Sequence, residues 1–227
     1  MMLKNLNKQI FVTTIFLVVV IALFELTSLD ILVQEKFFIL NTNSWILNRD
    51  EAILKFIFYD GIKKLLIIFA LVLLFSLIFF RKKELIKNYK EGLIIVILAS
   101  IIVPLAIGSL KAVSNTPCPK NIEYFGGDYP NIKVFDSYPK EFTQNSKIKC
   151  WPAGHASGGF ALMALFFLFK KRKNQIIALL FALSIGWSMG TYKMLIGDHF
   201  LSHTIITMII AWLIILILAK IIQKETT

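Results

Sequence analysis

Six apolar runs, at about 9–27, 61–80, 92–110, 156–170, 175–191 and 203–222, constrain this chain more than any other feature. A hydrocarbon core ~30 Å thick takes roughly 20 helical residues to cross. Backbone polar groups in lipid need partners within the segment, which selects helices. With 57% hydrophobic residues among 227, the chain reads as an all-α polytopic membrane protein of six transmembrane helices. The fourth and fifth runs are near the short limit, so less apolar residues must complete their ends. The first is too long and too poorly bounded for a removable signal peptide, and no small-residue cleavage site follows it. It is expected to stay.

The basic residues set the orientation. Arg81, Lys82, Lys83, Lys87 and Lys90 fill the second connection, and Lys170, Lys171, Arg172 and Lys173 fill the fourth. Lys4 and Lys8 precede the first span, and Lys220 and Lys224 end the chain. Six spans put all four clusters on one side, with both termini inside. The net charge of +11 is then mostly a topogenic signal and an attraction to anionic headgroups, not a nucleic-acid surface.

Two outer segments remain. Residues 28–60 have an interrupted apolar pattern that predicts short amphipathic helices in the interface, with Asn41, Asn43 and Asn48 as turn or cap residues. Residues 111–154 are polar and rich in Gly and Pro, so irregular backbone should dominate. A loop of that length is usually functional, and this one predicts a lid over a site. Both cysteines, Cys118 and Cys150, lie in it. One disulfide is expected in an oxidising compartment, against the alternative of two free thiols.

The three histidines, His155, His199 and His203, all sit where an apolar span meets an outer loop. Imidazole exchanges protons near neutral pH, binds metals and attacks phosphorus. Cleaving a phosphomonoester without a metal needs cations and amide donors for the phosphoryl oxygens, a nucleophile, and an acid for the leaving oxygen. Lys111 can supply charge, and Gly154 at a helix start can present backbone N–H groups. His155 and His199 can divide the acid and nucleophile roles. His199 and His203 are also one turn apart, a spacing that suits two metal ligands. With His155 they leave a zinc or haem reading open.

These segments resemble the integral-membrane type-2 phosphatidic acid phosphatases. That family's motifs are a lysine, six residues, then Arg-Pro; Pro-Ser-Gly-His; and Ser-Arg, five residues, His, three residues, Asp. Here the chain has Lys111, six residues, then Cys118 and Pro119; Pro152, Ala153, Gly154 and His155; and Tyr192 and Lys193, five residues, His199, three residues, His203. The run Gly197 to His203 is also similar to a branch that includes lipid A phosphatases. The resemblance implies that Lys111 and Lys193 hold phosphate, that His155 protonates the leaving group, and that His199 forms a phosphohistidine without a metal or other cofactor. Four positions depart from the pattern: Cys118 and Lys193 stand for arginines, Ala153 for serine and His203 for aspartate. Lysine keeps the charge but loses the bidentate fork. Lys120, Lys149, Ser114 and Ser157 are candidates to compensate, and Asp198 is a candidate to replace His203.

The sequence therefore predicts one membrane phosphatase domain over 1–227, with its motifs in about 92–222. Its expected substrate is a phosphorylated membrane lipid bearing a phosphomonoester or diphosphate. Its expected place is the bacterial inner membrane, with the site facing the periplasm or exterior. A lipid phosphotransferase, a histidine-ligated metal or haem subunit, and an inactive lipid-binding relative are the alternatives.

Overall fold

The computed structural model describes residues 2–225. The side chains of Lys4 and Lys224, two members of the basic clusters expected on the inside, lie outside the described residues. The protein is an all-α polytopic membrane protein. We number its helices α1 (Met2–Leu26), α2 (Leu29–Gln34), α3 (Ala52–Phe79), α4 (Glu84–Val113), α5 (Gly154–Leu168), α6 (Arg172–Leu195) and α7 (Leu201–Glu225).

Among the described residues five helices, α1, α3, α4, α6 and α7, are long and apolar enough to cross a membrane. The fourth expected span is α5, which is shorter and passes through a 3₁₀ turn at Leu162–Ala164. It compensates by being buried: Ala156, Phe160, Ala161, Leu162, Met163 and Ala164 all lie in the core. Its Gly159 meets Gly186 of α6 so closely that a Cβ there would sit 2.7 Å from the Gly186 Cα. Small residues let these two backbones touch. The second span also differs from expectation. It begins at Ala52 and includes a π-helical stretch, Phe56–Gly61, before its regular part, Ile62–Phe79.

Helix α7 is central and packs against α1, α4, α5 and α6. Half of its apolar window is buried, whereas none of the α3 window is. Helix α3 exposes Leu65, Ile68, Leu71, Val72 and Phe75, and α1 exposes Phe11, Phe16 and Val18. Such apolar exterior is what a lipid-facing surface presents.

The segments expected outside are more ordered than interfacial helices alone. Helix α2 is followed by an antiparallel hairpin that pairs β1 (Phe38–Ile39) with β2 (Ser44–Trp45), turning on Asn43 at φ 49°. Asparagine tolerates that left-handed conformation. Phe38, Trp45 and Phe125 form an edge-on and tilted ring cluster with centroids 4.9–5.3 Å apart. Phe200 is buried in the same cluster. The hairpin is thereby fastened to the long loop and to the turn before α7. The long loop has short 3₁₀ turns at Pro119–Asn121 and Glu123–Phe125. Asn115 and Gln144 exchange two amide hydrogen bonds of 2.8 Å across it. Cys118 and Cys150 are bonded, with Cα atoms 5.3 Å apart.

Candidate active site

The α6–α7 turn folds back on its own helix. The N–H groups of Asp198 and His199 both donate to the Lys193 carbonyl, at 2.8 and 3.2 Å, and that of Gly197 donates to Met194 at 3.1 Å. Gly197 takes φ 72°, and a Cβ there would strike the Trp45 indole lying over it. This wrap converts the spacing between Lys193 and His199 into spatial proximity. Two further anchors hold the same corner: Gln34 donates to the Met194 carbonyl at 2.8 Å, and the Lys120 N–H to that of Gly197 at 3.0 Å.

Each motif is joined to its neighbour by backbone. Lys111 lies in the last turn of α4. Just beyond it, the Thr116 carbonyl accepts from the Cys150 N–H at 3.1 Å. The Ala153 N–H donates to Thr207 Oγ1 at 3.0 Å and meets the His203 carbonyl at 3.3 Å, so the start of α5 is pinned to α7. The first N–H groups of a helix have no intrahelical partner. Those that follow Ala153, beginning at Gly154, are therefore free to serve an anion at this end of α5. The Lys111 side chain approaches the same spot, with its Nζ 3.9 Å from where a Gly154 Cβ would be.

His199 and His203 are almost wholly buried, and their Nδ1 atoms are 3.3 Å apart. Burial, and then His203, Lys111, His155 and Lys193, hold the His199 imidazole well below its ordinary pKa. This favours its neutral form. Lys193 Nζ stands 4.3 Å from the centre of the Tyr59 ring, and that ring is 4.3 Å from the His155 ring. The π-helical stretch of α3 is what inserts Tyr59 between them. His155 Nδ1 is buried without a partner.

Asp198 does not contact His199 as an orienting carboxylate. His203 occupies that position, and Asp198 instead collects cations. Lys193 and Lys120 each lie 2.9 Å from its oxygens, and Arg49 pairs with Oδ1. Burial alone would raise its pKa, but the charges and hydrogen bonds of Lys193 and Lys120 outweigh that and hold it below the usual value.

The expected residues separate as follows. His155, His199, His203, Lys111, Lys193 and Gly154 come together, and Lys120 joins them through Asp198. The Ser157 hydroxyl donates to the Gly154 carbonyl at 2.6 Å, so its proton is already committed. Ser114 likewise donates to Lys111 at 3.0 Å, and Lys149 is exposed on the surface. Neither Arg49 nor Tyr59 falls in a motif; the one hint in the sequence is that Arg49 is the single arginine outside the basic clusters.

For the metal reading, Cys150, His199 and His203 place candidate ligand atoms within 4.8 Å of one another. The Cys150 sulfur is committed to Cys118, so it offers no thiolate while the bond stands.

An apolar groove of 490 Å³ opens beside this cluster between α3, α4 and α5. Lys63, Gly154, His155 and Ser157 form its polar end, and Leu66, Ala70, Leu74, Ile101 and Pro104 continue it.

No curated protein and no solved structure matches the chain. The family model described as the PAP2 superfamily matches residues 92–227. That stretch is more than half of the chain and contains Lys111, Lys193 and every histidine; Arg49 and Tyr59 lie outside it. The chain therefore belongs to the PAP2 superfamily, a membership that makes it a phosphatase acting on phosphorylated substrates.

Proposed function

We propose that this membrane phosphatase hydrolyses a phosphate ester or diphosphate on a lipid headgroup through a phosphohistidine on His199. The observation that carries the reading is the junction of a cation-rich histidine cluster with the end of an apolar groove open between helices. A free sugar phosphate has no use for such a groove, whereas a lipid needs its headgroup at the cluster and its chain among apolar walls. Lys111, Lys193 and the Gly154 amide bind the phosphoryl oxygens and stabilise the charge that develops there. His199 Nε2 attacks phosphorus, forming a P–N bond as the P–O bond to the lipid breaks. His155 gives its proton to the departing oxygen. Water then attacks phosphorus, His155 takes its proton, and the P–N bond breaks to release phosphate.

His203 positions the nucleophile. A hydrogen bond from His199 Nδ1–H to His203 Nδ1 leaves the His199 Nε2 lone pair facing the substrate. No metal takes part in this scheme. The basic residues at 81–90 and 170–173 support an orientation with the site on the outer face of the inner membrane.

The test compares a long-chain lipid phosphomonoester in vesicles with a short-chain soluble one, in the presence of a chelator. Phosphate should be released from the lipid, and Ala70→Trp, which fills the groove, should raise KM for the lipid alone. Equal use of both substrates, unchanged in Ala70→Trp, would contradict the lipid assignment.

A further inference from the structure

The cations around Asp198 exceed what one carboxylate neutralises. Arg49, Lys120 and Lys193 all converge on it, and Lys111 acts on the same region. Asp198 immediately precedes His199, and both backbone N–H groups are fixed to the Lys193 carbonyl. The cations gathered on this carboxylate are therefore held at the mouth of the histidine cluster.

Arg49 differs from the others in chemistry and in origin. It is the one guanidinium at this end of the molecule, since Arg81 lies between α3 and α4 and Arg172 starts α6, both at the other end. A guanidinium matches phosphoryl oxygens with two parallel N–H donors, which an ammonium cannot do. It also comes from the outer connection, outside the stretch that matches the family. Its side chain is 42% exposed. An ion pair that open to water is held weakly and exchanges readily. A phosphoryl dianion attracts the same guanidinium more strongly than a single carboxylate does.

We propose that Arg49 is a substrate-phosphate ligand supplied by the outer connection, and that Asp198 parks its guanidinium until phosphoryl oxygens take it over. The assignment rests on the phosphate-binding reading of the cluster and extends it to a residue that no motif contains. Lys120 follows the same path from the carboxylate to the phosphoryl group. Asp198 then competes with the substrate for these cations.

The test is binding of inorganic phosphate to the full-length protein in detergent, measured by titration calorimetry at fixed ionic strength. Arg49→Ala should weaken phosphate binding by about tenfold or more, the worth of one charge-assisted hydrogen bond. Arg49→Lys should recover part of that loss. Asp198→Asn should tighten binding, because it removes the competitor. If Arg49 only latched the outer connection to the turn, Arg49→Ala and Asp198→Asn would break the same latch and weaken binding alike. That outcome, or unchanged affinity in Arg49→Ala, would overturn the proposal. Turnover is read separately: a wild-type protein that binds phosphate through Arg49 yet hydrolyses no ester would refute the enzymatic reading and leave Arg49 as a phosphate ligand.

Discussion

His199 Nδ1, just ahead of α7, lies 3.3 Å from Nδ1 of His203 in the first turn of that helix, and both rings are sealed from water. At that distance one imidazole donates to the other, so each tautomer assignment fixes the other. His203 as acceptor makes His199 Nε2 the free lone pair. In the proposed mechanism this arrangement does the orienting work of a carboxylate without placing a negative charge in the core.

The His203 position therefore has a defined geometric test. An aspartate Oδ stands the same number of bonds from the backbone as a histidine Nδ1, so His203→Asp puts an oxygen where the acceptor nitrogen sits. It should retain or raise kcat. His203→Ala should lower kcat by roughly 10²-fold or more with a smaller change in KM, as expected when a nucleophile loses its orienting partner. Steady-state kinetics on both variants check this.

The burial of His199 also sets a pH dependence. A free imidazole protonates near ~6.5. Held well below that value, His199 stays neutral and competent in mildly acid solution. In the unfolded chain it takes a proton near its ordinary pKa, so its contribution to stability is full above that pH and falls away as the pH drops toward the folded value. Histidine-selective NMR at pH 6 should show His199 neutral and protonated on Nδ1. A protonated imidazolium there would contradict the account.

Legibility in the sequence followed the range of the interactions. The long spans were readable because an apolar run of membrane length has few alternatives, and the histidine cluster was approachable because Lys193, His199 and His203 are close in sequence. The shortness of α5 was only half visible, since its burial depends on Gly159 finding Gly186 in another helix. The hairpin at 38–45 is not legible in the sequence because its strands are two residues each and Phe38 packs on Phe125 from a distant loop. Arg49 was invisible for the same reason: its partner is 149 residues away. In the sequence Asp198 is a candidate to replace His203, and only three-dimensional placement distinguishes the two.

The α5–α6 contact yields a paired stability test. A Cβ on Gly159 would sit 2.7 and 2.8 Å from the Gly186 Cα and N, which cannot move aside as a flexible side chain can. Gly159→Ala should cost about 1–3 kcal/mol through overpacking. Gly108→Ala, where nothing lies within 4 Å, should be neutral or slightly stabilising. Thermal unfolding in detergent compares the two.

The bond between Cys118 and Cys150 closes a long loop, its ends 32 positions apart in sequence, and ties the first motif to the second. Replacing both cysteines by serine should cost about 2–4 kcal/mol of stability. Activity should fall as well, because Cys150 Sγ packs 3.6 Å from His199 Nδ1. Unfolding and turnover of the double variant, beside wild type under oxidising conditions, measure both effects.

The role of His199 is tested most directly by trapping the phosphoenzyme. Wild-type protein quenched during turnover of a ³²P-labelled lipid phosphomonoester should carry alkali-stable, acid-labile phosphate on the peptide containing His199. The label should be absent from His199→Ala, which should release no phosphate. Full phosphatase activity in His199→Ala would contradict the mechanism outright.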